Sequence, residues 1–162
     1  MPHESRLDHD LRLLLTSQRV AALGTLDDGS RPFVSMVPFA LEPHSGTLVL
    51  HVSALAAHTR YLQATPPVSL LVMQAEIPGE PVHALPRVTL TGRAVQLAPG
   101  SAAGVAARVA YLARFPEAEP MTQLDDFKFV AIELLGARQI AGFGAARSLD
   151  AKAVIQVLQR QD

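Results

Sequence analysis

Apolar residues recur at changing intervals along this chain, and each change of interval marks an element. Leu7, Leu11, Leu14 and Leu15 fall at helical spacing among Asp8, Asp10 and Arg12, which predicts a short amphipathic opening helix. Arg19–Leu26 reads as a first strand, followed by the hairpin signal Asp27-Asp28-Gly29-Ser30. Two apolar, β-prone runs come next, Pro32–Leu41 and Thr47–Val52, parted by a Pro/Ser/Gly turn. A short helix is expected around Ala57–Ala64 and is ended by Pro66-Pro67, which cannot donate to its ladder. Val68–Gln74 is a nearly continuous apolar strand, and Glu76–Pro86, with three prolines and a glycine, is a loop. Arg87–Leu97 alternates as a strand, with Gly92 marking a bulge or a close approach. Ser101 caps an alanine-rich helix over Ala102–Phe115. Phe127–Leu135 and Arg138–Gly144 read as two more strands, and Asp150–Arg160 as a closing helix.

Strands joined mostly by short turns pair antiparallel, because a parallel crossover needs a dozen or more residues. The expected fold class is therefore mainly β, an antiparallel β-barrel with peripheral helices. No repeat or low-complexity linker interrupts the pattern. One domain over residues 1–162 is the expectation, with its core over 7–146 and its closing helix over 150–160.

Composition narrows the chemistry. Of 162 residues, 49% are apolar and 18% charged, enough to pack a core and too apolar for disorder. The net charge of −1 gives no field to draw nucleic acid or an acidic membrane surface. There are no cysteines, so disulfides, thiolate catalysis and cysteine-held zinc or iron–sulfur clusters are excluded. The start, MPHESRLDHDLRLLL, carries acids and no apolar signal core, and no run approaches the ~20 apolar residues of a membrane span. A cytoplasmic protein is the expectation.

The most informative stretch is Arg31–Leu62. Its second apolar run empties into Ser53 and then into His58-Thr59-Arg60 at the start of a short helix. Exposed N–H groups and the positive end of a helix dipole suit a phosphate, with Arg60 as charged partner and the Ser53 and Thr59 hydroxyls completing the shell. The segment FVSMVPF, Phe33–Phe39, alternates, and Pro38 removes a ladder donor. It is either an edge strand whose backbone faces a flat heteroaromatic ring or an ordinary core strand with a bulge. The histidines His3, His9, His44, His51, His58 and His83 show no metal-binding spacing, so no metal site is expected. His44 and His83 fall in loops, and His51 at a strand end is either core-satisfied or cofactor-facing. No P-loop, G-x-G-x-x-G or G-x-S-x-G is present. Asp125-Asp126 reads as a turn or cap.

The runs RPFVSMVPFALEPHSGTLVLHVSALAAHTRYL, PPVSLLV, PRVTLTGRA, ARFPEAEPMTQLDDFKF and ARQIAGFGAA resemble the pyridoxamine 5′-phosphate oxidase-like FMN-binding split barrels, and within them the haem-utilisation (HugZ-like) branch. The likeness runs from Leu7 to Ala146, and HVS-x-LA-x-HTR and GFG are its specific segments. It implies a six-stranded antiparallel split barrel that forms a homodimer and binds FMN at the dimer interface. It also implies that Val34, Ser35, Met36, Val37 and Pro38 lie against the flavin ring. His51, Val52, Ser53, His58, Thr59 and Arg60 would hold ribityl and phosphate, and Arg87 would approach the ring from the partner chain. Ala57-His58 stands where pyridoxamine phosphate oxidases carry a basic pair, and their C-terminal R-x-H is missing, which argues against vitamin B6 as substrate. Haem-handling members use a histidine after the GFG turn, and none follows His83 here. The leading expectation is an FMN-dependent oxidoreductase acting on a small molecule. The alternatives are a haem-binding or haem-degrading barrel and a cofactor-free dimeric barrel.

Overall fold

The structure, a computed structural model, describes residues 4–160. It contains helices α1 (Arg6–Ser17), α2 (Ala57–Ala64), α3 (Ala102–Arg114) and α4 (Ala151–Gln159). The strands are β1 (Val20–Leu26), β2 (Pro32–Pro38), β3 (Ala40–Glu42), β4 (Thr47–Ser53), β5 (Pro67–Met73), β6 (Arg87–Gln96), β7 (Phe127–Ile140) and β8 (Ala146–Asp150). A 3₁₀ segment, Pro116–Gln123, links α3 to β7.

All pairings are antiparallel, and the order across the sheet is β2-β1-β5-β6-β7-β4-β3, with β8 alongside β7. Strands β2 and β3 stand at opposite ends of that order, yet Phe39 alone separates them in the chain. The two ends of the sheet must therefore lie side by side, so the sheet curls round on itself. The seam is crossed by covalent chain and no β2–β3 ladder forms, which makes the barrel split. Phe39 is fully buried at the joint, and its N–H donates to the carbonyl of Arg19 at 3.2 Å.

The mainly β barrel matches the sequence expectation, while the strand count of eight corrects the expected six. Pro32–Leu41 is not one strand, because the chain crosses the seam at Phe39 and pairs with different partners on either side. Phe127–Leu135 and Arg138–Gly144 fuse into the 14-residue β7. Strand β8 was not expected; positive φ at Gly142 (128°) and Gly144 (71°) turns the chain back so that Ala146–Asp150 pairs with Gly136–Ile140. Gly92 is the expected close-approach point. The β6–β7 register shifts between Thr91 and Gly92, and a Cβ at Gly92 would stand 2.6 Å from Ile132 Cγ2.

Alternate positions fill the barrel. Leu48, Leu50 and Val52 of β4, Val88 and Leu90 of β6, and Val130 and Ile132 of β7 are buried inside. Leu11, Leu14 and Leu15 of α1 and Val154, Val157 and Leu158 of α4 join that core. Each buried leucine contributes about 2 kcal/mol of transfer free energy. Strand β4 also buries its outer face, where Val49 packs with Ala107 and Tyr111 of α3. Helix α3 is held to α1 by Arg114, whose guanidinium donates to the carbonyls of Leu15, Thr16 and Gln18 and lies 4.9 Å over the Phe39 ring. Those carbonyls are the unpaired ones at the end of α1, so Arg114 caps that helix from outside. Among the described residues no helix is long and apolar enough to cross a membrane.

Candidate functional site

Strand β2 ends the pairing order, so one of its edges makes no ladder within the described chain. Its alternation sorts its side chains. Val37 points into the barrel core, whereas Val34 and Met36 stand outward, 66% and 64% exposed. With Val20 and Ala22 of β1 and Leu71 and Met73 of β5, these two line a shallow apolar concavity of about 370 Å3 on the outside of the sheet. Ser35 faces the other way, towards α2. Pro38 closes the strand before the seam.

Helix α2 follows β4 because Thr59 ties its first turn back to the strand. The buried Thr59 hydroxyl donates to the Ser53 carbonyl at 2.6 Å, and Leu62 anchors the helix in the core. No side chain caps its start at Ala56. The helix lies against β2 through two contacts. His58 Nδ1 and Ser35 Oγ are 3.0 Å apart, and the rings of Phe33 and Tyr61 meet edge-on with centroids 5.2 Å apart. Burial pushes the His58 ring below its ordinary value, so the imidazole is neutral at pH 7.

The remaining predicted site residues scatter from this pair. Ser53 Oγ donates to Asp126 Oδ2 at 3.1 Å and accepts the Leu55 N–H. Arg60 is exposed and pairs with Asp28 at 2.9 Å. Arg87, at the head of β6, donates to the carbonyls of Leu85 and His83. Val52 is sealed in the core. His51 lies on the opposite face of β4, beneath α3, stacked on Phe129 at 4.4 Å and beside Phe127 at 5.0 Å. The histidines expected in loops, His44 and His83, are exposed, and His3 lies outside the described residues.

Residues adjacent on a short helix point about 100° apart, which is why His58, Thr59 and Arg60 do not converge. Thr59 turns to β4, His58 to β2 and Arg60 to the β1–β2 turn. Sequence reasoning did not single out Asp28 or pair Asp126 with Ser53. Asp126 is 73 residues from its hydroxyl partner, and no local pattern links them.

The curled antiparallel sheet, split at β2 and β3 and plugged by a short helix after β4, defines a split-barrel protein. Residues 7–141 match the pyridoxamine 5′-phosphate oxidase family, and the chain belongs to it. It is 39% identical over 115 residues to the chloroplastic non-canonical haem oxygenase HOZ of Arabidopsis thaliana, a match covering 71% of this chain and 33% of that protein. The chain thus spans about a third of that relative's length. It is 27% identical over 144 residues to the haem oxygenase HutZ of Vibrio cholerae, covering 88% of this chain and 81% of HutZ. Among solved structures, a haem-binding protein from Mycobacterium smegmatis superposes with a TM-score of 0.84 at 27% identity, over 95% of this chain and 62% of that one. HutZ, described there as a haem storage protein, gives 0.71 at 25% identity, over 79% and 89%.

Proposed function

We propose that this chain is a haem-binding split barrel, working as a homodimer and taking part in haem breakdown. The observation that carries the reading is the His58–Ser35 pair at the rim beside α2. With Nδ1 engaged by the Ser35 hydroxyl, the ring is held in one orientation and Nε2 is left as the nitrogen able to meet an iron. Neutrality matters as well, because only an unprotonated imidazole nitrogen is a metal donor. This donor set fits haem, whose iron, when bound, supplies dioxygen activation.

His58 would hold the iron through Nε2, and Ser35 would fix the direction of the ring. The apolar surface around Val34, Met36, Val20 and Met73 lies on the other face of β2 from Ser35 and His58 and suits a second copy of the chain, since such a patch is costly to leave wet. The relatives support the reading: the plant protein and HutZ are named as haem oxygenases, and the mycobacterial structure as a haem binder. Haem breakdown and dimerisation carry over from that likeness.

FMN is the second reading, favoured by the α2 start at Ala56, which lacks a side-chain cap. Its phosphate would meet Ser53, Thr59 and Arg60 already engaged, two of them by the carboxylates of Asp126 and Asp28. Those carboxylates repel a phosphate, so this arrangement fits FMN less well than His58 fits haem.

Visible absorption of the purified protein, titrated with haem and separately with FMN, tests the proposal. A saturable Soret change at one haem per chain is expected, with affinity falling about tenfold or more in His58→Ala. Uptake of FMN without haem would replace the reading with the flavin one. A protein that binds neither would be a cofactor-free barrel, and the proposal would be withdrawn.

A further inference from the structure

The outer face of β4 holds a polar group that nothing in the fold satisfies. His51 Nδ1 is buried and has no hydrogen-bond partner. The ring sits among Phe127, Phe129 and Tyr111, a setting in which a phenyl side chain would fit without any unmet polar atom. Burial also holds the imidazole below its ordinary value, so it is neutral. Of its two tautomers, the one leaving a bare lone pair on the sealed Nδ1 strands no buried N–H. The proton then sits on Nε2, which becomes a donor.

That ring lines a crevice of about 200 Å3 between β4, β7 and α3, together with Arg108, Thr122, Phe127, Lys128 and Phe129. Arg108 Nη2 donates to Thr122 Oγ1 at 3.3 Å, while the same hydroxyl donates to the Glu119 carbonyl at 2.7 Å. Thr122 thereby holds the guanidinium at the crevice, and no carboxylate of the described chain pairs with it. The lining thus carries the Arg108 guanidinium and the imidazole of His51 together with the rings of Phe127 and Phe129. Nothing in the haem proposal uses these residues, because Ser35 and His58 lie on the other side of the sheet.

We infer that this crevice is a second binding site, for a small planar carboxylic acid. The carboxylate would take the bidentate guanidinium of Arg108 and the Nε2–H of His51, and the flat body would lie against Phe127 and Phe129. The volume admits one aromatic ring and excludes a tetrapyrrole.

Benzoate is the probe, with benzamide as its uncharged isostere and inorganic phosphate as the anion without a ring. Binding to the haem-free chain is followed by amide chemical shifts. Benzoate is expected to saturate with shifts confined to residues around 51, 108 and 127–129, at least about tenfold tighter than benzamide or phosphate. Arg108→Gln should weaken benzoate about tenfold and leave benzamide unchanged. His51→Phe, which keeps the packing, should also weaken benzoate. Thermal unfolding of each variant separates a lost site from a lost fold. Absence of saturation at millimolar benzoate in the wild type would overturn the inference. So would equal benzoate affinity in a folded Arg108→Gln, or phosphate binding tighter than benzoate.

Discussion

His51 and His58 are seven positions apart on one strand–helix unit, and the fold treats them in opposite ways. His58 is turned to β2, where the Ser35 hydroxyl meets its Nδ1 at 3.0 Å. His51 is turned beneath α3, where aromatic rings surround it and its Nδ1 meets nothing. Both rings are neutral because burial disfavours their charged forms. The first arrangement is self-consistent and fixes an imidazole in direction. The second leaves the sealed Nδ1 unmet, a cost to folding on the order of 1–3 kcal/mol, and turns Nε2 into the ring's donor. A neutral histidine therefore has to be judged by its partners as well as its burial.

The largest effect should come from β4, the strand that carries His51 and leads into α2. Leu50, next to His51 in the chain but on the opposite face of β4, is fully buried inside the barrel, and Leu50→Ala is expected to cost about 2–5 kcal/mol in chemical denaturation. A loss under about 1 kcal/mol would mean that β4 is not the spine of the core.

Substitutions at the two imidazole sites should move stability in opposite directions. Ser35→Ala leaves His58 Nδ1 half-buried and unpaired, and should cost about 1–2 kcal/mol. His51→Phe removes an unmet nitrogen and keeps the stack on Phe129, so its stability should stay level or rise by about 1 kcal/mol. Equal losses in the two variants would erase the contrast.

Acid should act on both rings together. Their folded values lie below the ordinary 6.5, so the unfolded chain binds protons first as pH falls. The contribution is complete above about pH 6.5 and is lost below it, towards the depressed folded values. Thermal midpoints of the wild type should therefore drop between about pH 7 and pH 5.5, and His51→Phe should show a shallower drop. A variant curve parallel to the wild type would show that His51 does not titrate in that window.

The smallest change is expected at Arg60. Its pair with Asp28 is exposed on both sides, so Arg60→Ala should cost under about 1 kcal/mol and leave haem binding as it was. A tenfold loss of FMN uptake in the same variant would return Arg60 to the phosphate role expected from sequence.

Much of the fold was legible in the chain. Leu11, Leu14 and Leu15 at helical spacing gave α1, Ser101 gave the cap of α3, and Asp27–Ser30 gave the β1–β2 turn, because each signal is local. The short helix over Ala57–Ala64 and the irregularity at Gly92 were equally visible. The break at Phe39 was hidden, since Pro32–Leu41 is apolar apart from Ser35, and Pro38 signals an edge or a bulge without showing that the pairing partner changes. Strand β8 was hidden for a related reason, as ARSLD acquires strand geometry only by lying beside β7.

The candidate site divides along the same line. The residue types and their position after a β-strand were written in HVSALAAHTR, and with them the family to which the chain belongs. Which side each one faces was settled by helical rotation in α2 and by alternation in β4. The partners Ser35, Asp126, Asp28 and Arg108 come from elements 14 or more positions along the chain from their contacts, or from separate strands. Local sequence sets backbone preference and the order of apolar and polar groups, because those depend on neighbours within a turn. Which polar groups are satisfied, and which is sealed without a partner, depends on the curl of the sheet, which only the folded chain decides.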